Sequence, residues 1–357
     1  AGVLICVVGQ LFLEPISYLL GSTETILPYT KDYLRIILFG APWMTASLVL
    51  NNQLRFQGSA NYAMVGIVSG AVLNIALDPL LIFTFDMGVA GASLATAISK
   101  LVSFAILIFP YLIRRSVLHL SVRNFCFSRD IMTKIVSVGS SSMFRSGLAV
   151  VAAIMLNDIA GNISDSVLAG IGVCTKIMMF PFSIILGFGS GFQPVAGFNW
   201  GAKRYDRVAK SYGFASSMAL IGSLIMAAVL IIFAEPIIVL FAGSDPEMQQ
   251  IGALSIRLQC IALPIHAWVA IINMLCVGLG NAKGAFLLAT ARQGTCFIPF
   301  VHLLGWLFGA VGVASVQAVA DLLSLILAIP LLIVTKKKIA AAQQSLLDNP
   351  VPTESDS

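Results

Sequence analysis

Residues 213–233 read GFASSMALIGSLIMAAVLIIF, twenty-one positions without a charge. At 1.5 Å per residue a helix of that length crosses the hydrocarbon core of a bilayer, about 30 Å thick. Runs of this kind recur between short polar interruptions along nearly all of the 357 residues. In lipid, every backbone polar group must be satisfied within the protein, so only helices or a closed barrel can span. Barrel strands are about ten residues of strict alternation. The runs here are longer and continuous, and they predict an all-α integral membrane protein. Ten spans are expected, over 1–20, 31–57, 60–85, 88–114, 129–160, 164–199, 204–232, 246–280, 283–308 and 311–335.

Composition agrees. The chain is 58% hydrophobic and 10% charged, with a mean hydropathy of +0.95, against roughly 25% charged residues in soluble domains. The net charge of +5 does not imply nucleic acid, because the basic residues are dispersed among loops and not gathered with aromatics on one face. Six cysteines without a CxxC pair suggest neither zinc nor a disulfide framework. No metal or cofactor is expected, and a monomer in membrane lipid is.

Basic residues report topology, since short cytoplasmic loops carry the excess. Alternate interruptions hold Arg55; Arg114, Arg115, Arg123, Arg129 and Lys134; Lys203, Arg204, Arg207 and Lys210; Lys283; and Lys336, Lys337 and Lys338. The opposite interruptions hold Lys31, with acids that include Asp165, Glu235, Asp245 and Glu247. The expected protein is therefore multi-pass in the plasma or inner membrane with a cytoplasmic C-terminus, and its polar tail, 336–357, reads as disordered.

The chain also repeats itself. Leu13-Glu14-Pro15-Ile16 matches Ala234-Glu235-Pro236-Ile237; Arg35 pairs with Arg257, Pro42 with Pro264, Asn51 with Asn273 and Gly58 with Gly280. GVAGASLATAIS from Gly88 matches GAVGVASVQAVA from Gly309. Six helices separate equivalent positions, which makes this a parallel repeat. The second copy begins near residue 129, so its counterpart would begin about ninety residues before residue 1. The expected whole is twelve helices in two six-helix lobes around a central cavity. In this chain 1–114 would be the N-terminal lobe without its first two helices and part of a third, 115–128 a cytoplasmic linker, and 129–335 the C-terminal lobe.

An ionisable residue within a span costs about 2.5–3.5 kcal/mol on insertion scales and is a functional candidate by default. Asp78, Lys100, Arg145, Lys176 and Asp321 qualify; Arg292 lies nearer a span end, where it can snorkel. Asn74 precedes Asp78 by one turn on the same face, and Pro79 deprives the Ile75 carbonyl of its helical donor. Carboxylate, amide and freed carbonyl together offer oxygen ligands for a hard cation, or a polar pocket for a proton. Thr96 lies as far after the intervening turn as Asp78 lies before it, about 13 Å deep for both, and its hydroxyl would complete the site. The alternative is that Asn74 and Asp78 only hold a neighbouring helix. Lys100, one turn past Thr96, would hold Asp78 ionised, exclude a metal cation, or face elsewhere. Arg145 is a candidate cavity-lining cation, with structural pairing to helix carbonyls as the alternative. Met178, Met179 and Phe180 are candidates for an adaptable apolar surface, with core packing as the alternative. The three histidines have no metal-ligand spacing.

With these motifs assembled, the chain resembles the multidrug and toxic compound extrusion (MATE) family. The resemblance is carried by Asn74-x-x-x-Asp78-Pro79-Leu80, by the GVAGASLAT stretch ending in Thr96, and by Gln193-Pro194-Val195-Ala196-Gly197-Phe198-Asn199 followed by Gly201-Ala202-Lys203. It implies an antiporter exchanging protons or sodium for small organic, often cationic, multidrug-like substrates. It also implies that Asn74, Asp78 and Thr96 form part of an N-terminal-lobe coupling site together with a first-helix Asp upstream of residue 1. Lys100 departs from the neutral residue the family leads one to expect. A lipid-linked oligosaccharide flippase is the alternative transporter reading. A membrane enzyme on lipid-linked substrates would need an acid or His cluster at the surface, which the short loops do not offer; no GxxxxGK[ST] loop marks an ATP-driven pump.

Overall fold

The computed structural model describes residues 2–20, 22, 24, 26–113, 128–242 and 245–348. Every regular element among them is helical: α1 (Gly2–Leu11), α2 (Leu13–Leu19), α3 (Leu27–Phe56), α4 (Ala60–Pro79), α5 (Gly88–Leu112), α6 (Arg129–Ile163), α7 (Asp165–Gly201), α8 (Tyr205–Ile232), α9 (Ala234–Ala242), α10 (Pro246–Gly278), α11 (Ala282–Thr290) and α12 (Ile298–Asp348). Wider π turns follow α4, over Leu80–Thr84, and α11, over Ala291–Thr295. Among the described residues, eight helical segments are long and apolar enough to cross a membrane. Their outward faces are apolar too: Phe83, Leu240 and Trp306 are each 78% or more exposed. Such a surface suits hydrocarbon and not water.

Two expected spans differ. The run over 1–20 is broken at Phe12 into α1 and α2. The last two run on as helix over Ala282–Leu346, yet Gly309 takes φ 55° and ψ −131°, a conformation that a side chain opposes. Val301 before it and Val316 and Ala320 after it share one buried cluster. A straight helix would hold these residues more than 20 Å apart, so the chain folds back at Gly309. The tail is also corrected: helix continues through Lys336–Lys338 to Asp348, well past the expected onset of disorder. The sequence IAAAQQSLLD after the lysines consists largely of good helix formers, so propensity extends the helix where polarity suggested coil. The linker residues 115–127 and the tail 349–357 lie outside the described residues.

The chain divides into two compact units, Ala1–Cys126 and Phe127–Ser357. In the first, α5 packs between α3 and α4. Small residues allow the approach: Gly66 of α4 meets Leu107 of α5, and Gly70 meets Ser103 and the Ser99 carbonyl. The Ser103 hydroxyl donates to the Gly66 carbonyl at 2.8 Å, an interhelical bond of the kind that substitutes for hydrophobic driving force in lipid. In the second unit α10 is the most buried helix. It runs parallel to α7, with Gly170 against Gly252 near one end and Gly197 against the Gly278 carbonyl near the other. Glycine turns recur at the expected repeat positions: Gly58 and Gly280 have φ of 81° and 70°, Gly88 and Gly309 of 52° and 55°.

Candidate functional site

The first unit brings Asn74 and Asp78 together. One helical turn apart on α4, they are joined by Asn74 Nδ2 donating to Asp78 Oδ1 at 3.2 Å. Both are half-buried. Pro79 ends α4 here and has no N–H for the Ile75 carbonyl, while the Leu80 N–H turns instead to Leu77. The chain then widens into the π turn over Leu80–Thr84, the kind of irregularity that frequently marks functional sites in helices. Asp78 thus sits where helical backbone pairing is interrupted, and among the described residues neither its second carboxylate oxygen nor the Asn74 side-chain oxygen takes a hydrogen bond.

Thr96 is placed by the α4–α5 register. Gly66 faces Leu107, Gly70 faces Ser103, and Gly91 faces the Leu81 carbonyl. Interpolated between these contacts, Thr96 lies level with the turn that separates Asn74 from Asp78, one position past the fully buried Ala95. Its hydroxyl donates to its own helix, to Ala92 at 3.0 Å, leaving its oxygen lone pairs free to accept. Lys100 is exposed and makes no ion pair among the described residues.

The other candidates lie in the second unit. Met178 and Met179 line a cavity of about 410 Å³ bounded by α6, α7, α10, the second π turn and α12. Phe180, between the cavity-lining Met179 and Phe182, is 71% exposed, and neither it nor Arg145 is among the lining residues. Lys176 is.

Beside that cavity lies a charge cluster that sequence reading did not assemble. Asp321, 2% exposed, accepts from Arg292 Nε at 2.6 Å, and His266 Nδ1 lies 3.5 Å from the same oxygen. The Arg292 guanidinium sits 4.7 Å from the Phe182 ring centroid, and the His266 ring meets Phe182 edge-on at 4.8 Å. Arg292 does not snorkel to a span end; it is drawn inward by the buried carboxylate. The available signal was the in-span Asp321 itself, because a buried charge requires a partner.

A description of the MatE family matches residues 1–80 and 142–303. The multidrug export protein MepA of Staphylococcus saprophyticus is 24% identical over 356 residues, which cover 97% of this chain and 76% of that protein. MepA of Staphylococcus haemolyticus is 26% identical over 347 residues with the same coverage. Among solved structures, a MATE in complex with MaL6 is similar with a TM-score of 0.88 at 24% identity, over 96% of this chain and 77% of that one. A MOP superfamily transporter from Pyrococcus furiosus is similar with a TM-score of 0.87 at 24% identity, over 96% and 76%.

Proposed function

Because this chain belongs to the MatE family of transporters, we propose that it acts in multidrug efflux as a secondary antiporter, exporting small organic, often cationic, compounds in exchange for protons or sodium. The observation that carries this reading is the Asn74–Asp78 pair, 3.2 Å apart, at the point where Pro79 and a π turn interrupt the helix. The staphylococcal relatives are multidrug export proteins, which supports efflux.

The chemistry follows from the cost of charge in a low-dielectric environment. An ionised, uncompensated carboxylate in a membrane span favours the arrangement that keeps it in contact with water. A proton removes that charge, and a sodium ion neutralises it while Asn74, the Ile75 carbonyl and Thr96 supply neutral oxygens. Occupied, the site tolerates closure of the surrounding helices; empty, it resists it. A ligand that binds one arrangement better than the other shifts their populations by that difference, and the ion gradient thereby drives the cycle. The exported molecule binds the arrangement that the ion disfavours. We further propose that the intact protein has two six-helix lobes, with the α7–α8 turn and the Lys336–Lys338 cluster facing the cytoplasm.

The test is export by the full-length protein reconstituted in vesicles under an imposed proton or sodium gradient, wild type against Asp78→Asn. The substitution preserves shape and hydrogen-bonding capacity but cannot release a proton. Gradient-driven export should stop while substrate binding persists. Undiminished export by the variant would reduce Asn74–Asp78 to a packing contact.

A further inference from the structure

The cavity of the second unit has a polarity opposite to that of the Asp78 site. Its charged lining residues are Lys176 and Arg292, and no acid is among the lining. Asp321, which is not among the lining residues, accepts from Arg292 Nε at 2.6 Å and lies 3.5 Å from His266 Nδ1. Arg292 is thereby fixed at its Nε edge and against the Phe182 face, an arrangement that pre-orients the rest of the guanidinium. Its Nη2, though buried, has no acceptor among the described residues. The same holds for Gln317 Nε2 on α12. Both residues line the cavity, but the two donor atoms themselves are shielded from it; buried donors without acceptors are costly, so an anion toward which they turn would satisfy them.

The rest of the lining is mostly apolar and includes Met179, Leu156, Phe182 and Phe297. At about 410 Å³, the cavity falls within the range of small-molecule sites, roughly 300–1,000 Å³. The repeat adds an independent observation. Gln317 and Asp321 stand in the second copy where Thr96 and Lys100 stand in the first. An acid thus replaces Lys100 in the second copy, and Arg292, a residue lining the cavity, is bound to it.

We propose that this cavity is a binding site for an organic oxyanion, a carboxylate or sulfonate carried on a flat apolar body. The Arg292 guanidinium, the Gln317 amide turned toward the cavity and the Lys176 ammonium contact the anion, and Phe182 and the methionines contact the body. The site does not depend on Asp78 coupling transport, and its test reads binding in the absence of any gradient.

The probes are three molecules with one aromatic body: 2-naphthoate, neutral 2-naphthamide and cationic 2-naphthylmethylammonium. Binding to the purified full-length protein in phosphatidylcholine nanodiscs is followed by calorimetry. Naphthoate should bind at least about tenfold more tightly than either of the others, since charge-assisted bonds distinguish it. Lys176→Met and Gln317→Leu, which leave the Arg292–Asp321 pair untouched, should each weaken naphthoate binding and leave naphthamide binding unchanged. Repeating the measurement with phosphatidylglycerol in the nanodiscs separates two sources of the anion. Competition by that lipid supports the site with a lipid headgroup as occupant, and unchanged binding supports it with a free carboxylate. Equal binding of the three probes, or naphthoate binding that neither substitution weakens, overturns the proposal.

Discussion

Asn51 and Asn273 make the same hydrogen bond in the two units. Each amide donates to a carbonyl twelve residues on, Asn51 Nδ2 to Ala63 at 2.9 Å and Asn273 Nδ2 to Ala285 at 3.0 Å. Both side chains are buried, at 2% and 8% exposure. Each bond ties a helix to the one that follows its glycine turn, so the two tight connections are pinned in the same way.

Asn51→Ala and Asn273→Ala should therefore destabilise the protein by similar amounts, about 1 kcal/mol each, as expected for an interhelical bond in a membrane protein. Thermal unfolding of the two variants in one detergent checks this. A clear loss in one variant with none in the other would contradict the equivalence.

Asn74→Ala and Thr96→Ala should weaken gradient-driven export less than Asp78→Asn does, because each removes a neutral ligand and leaves the titrating group. Initial rates in vesicles across a range of imposed gradients distinguish a weakened site from an absent one. Variants as inactive as Asp78→Asn would mean that the amide or hydroxyl is indispensable and not auxiliary.

The Arg292–Asp321 pair predicts strong non-additivity. Arg292→Met leaves the buried Asp321 carboxylate, with a side chain 3% exposed, without its cation, and should cost about 3–5 kcal/mol. The double variant Arg292→Met with Asp321→Leu removes both charges and should recover much of that loss. Unfolding free energies of the two single variants and the double variant close the cycle, and additive costs would show that the pair is not coupled.

Asp245 caps α10 outside the spans. The Ser166 hydroxyl, then the Met248 N–H and the Glu247 N–H, hold its carboxyl below the ordinary value. Its proton is bound more weakly in the folded than in the unfolded protein. The stabilisation is thus complete above the ordinary carboxylate range and is lost as pH falls through the lowered value. Asp245→Asn should lower thermal stability at neutral pH and flatten its decline in acid. A decline in acid as steep as that of the wild type would assign the effect to other carboxylates.

Lys338 lies over Trp200 and Lys336 over Tyr212, each 5.6 Å from the ring centroid, so the end of α12 and the α7–α8 turn share one end of the second unit. Ser166 bonded to Asp245 and Ser164 to Glu247 gather the acidic turns elsewhere, at the ends where α7 and α10 begin. A membrane-impermeant thiol reagent applied outside intact cells should label cysteines placed at Asp165 or Glu247, and none placed at Lys203 or Lys338. Labelling at Lys203 or Lys338 would reverse the assigned orientation.

Helical class was legible in the sequence because lipid offers the backbone no partner, and long uncharged runs then have few ways to fold. The repeat was legible because Pro, Asn and Gly at fixed spacing impose backbone geometry, which the φ angles of Gly58 and Gly280 display. Asn74 and Asp78 could be paired in advance because one helical turn joins them. Tertiary structure alone decided that Asp321 meets Arg292 and His266, positions 29 and 55 residues away in the chain, since no local periodicity records which helix faces which. It also decided that Arg292 turns inward: a guanidinium free to reach water at a span end is held instead by a buried carboxylate.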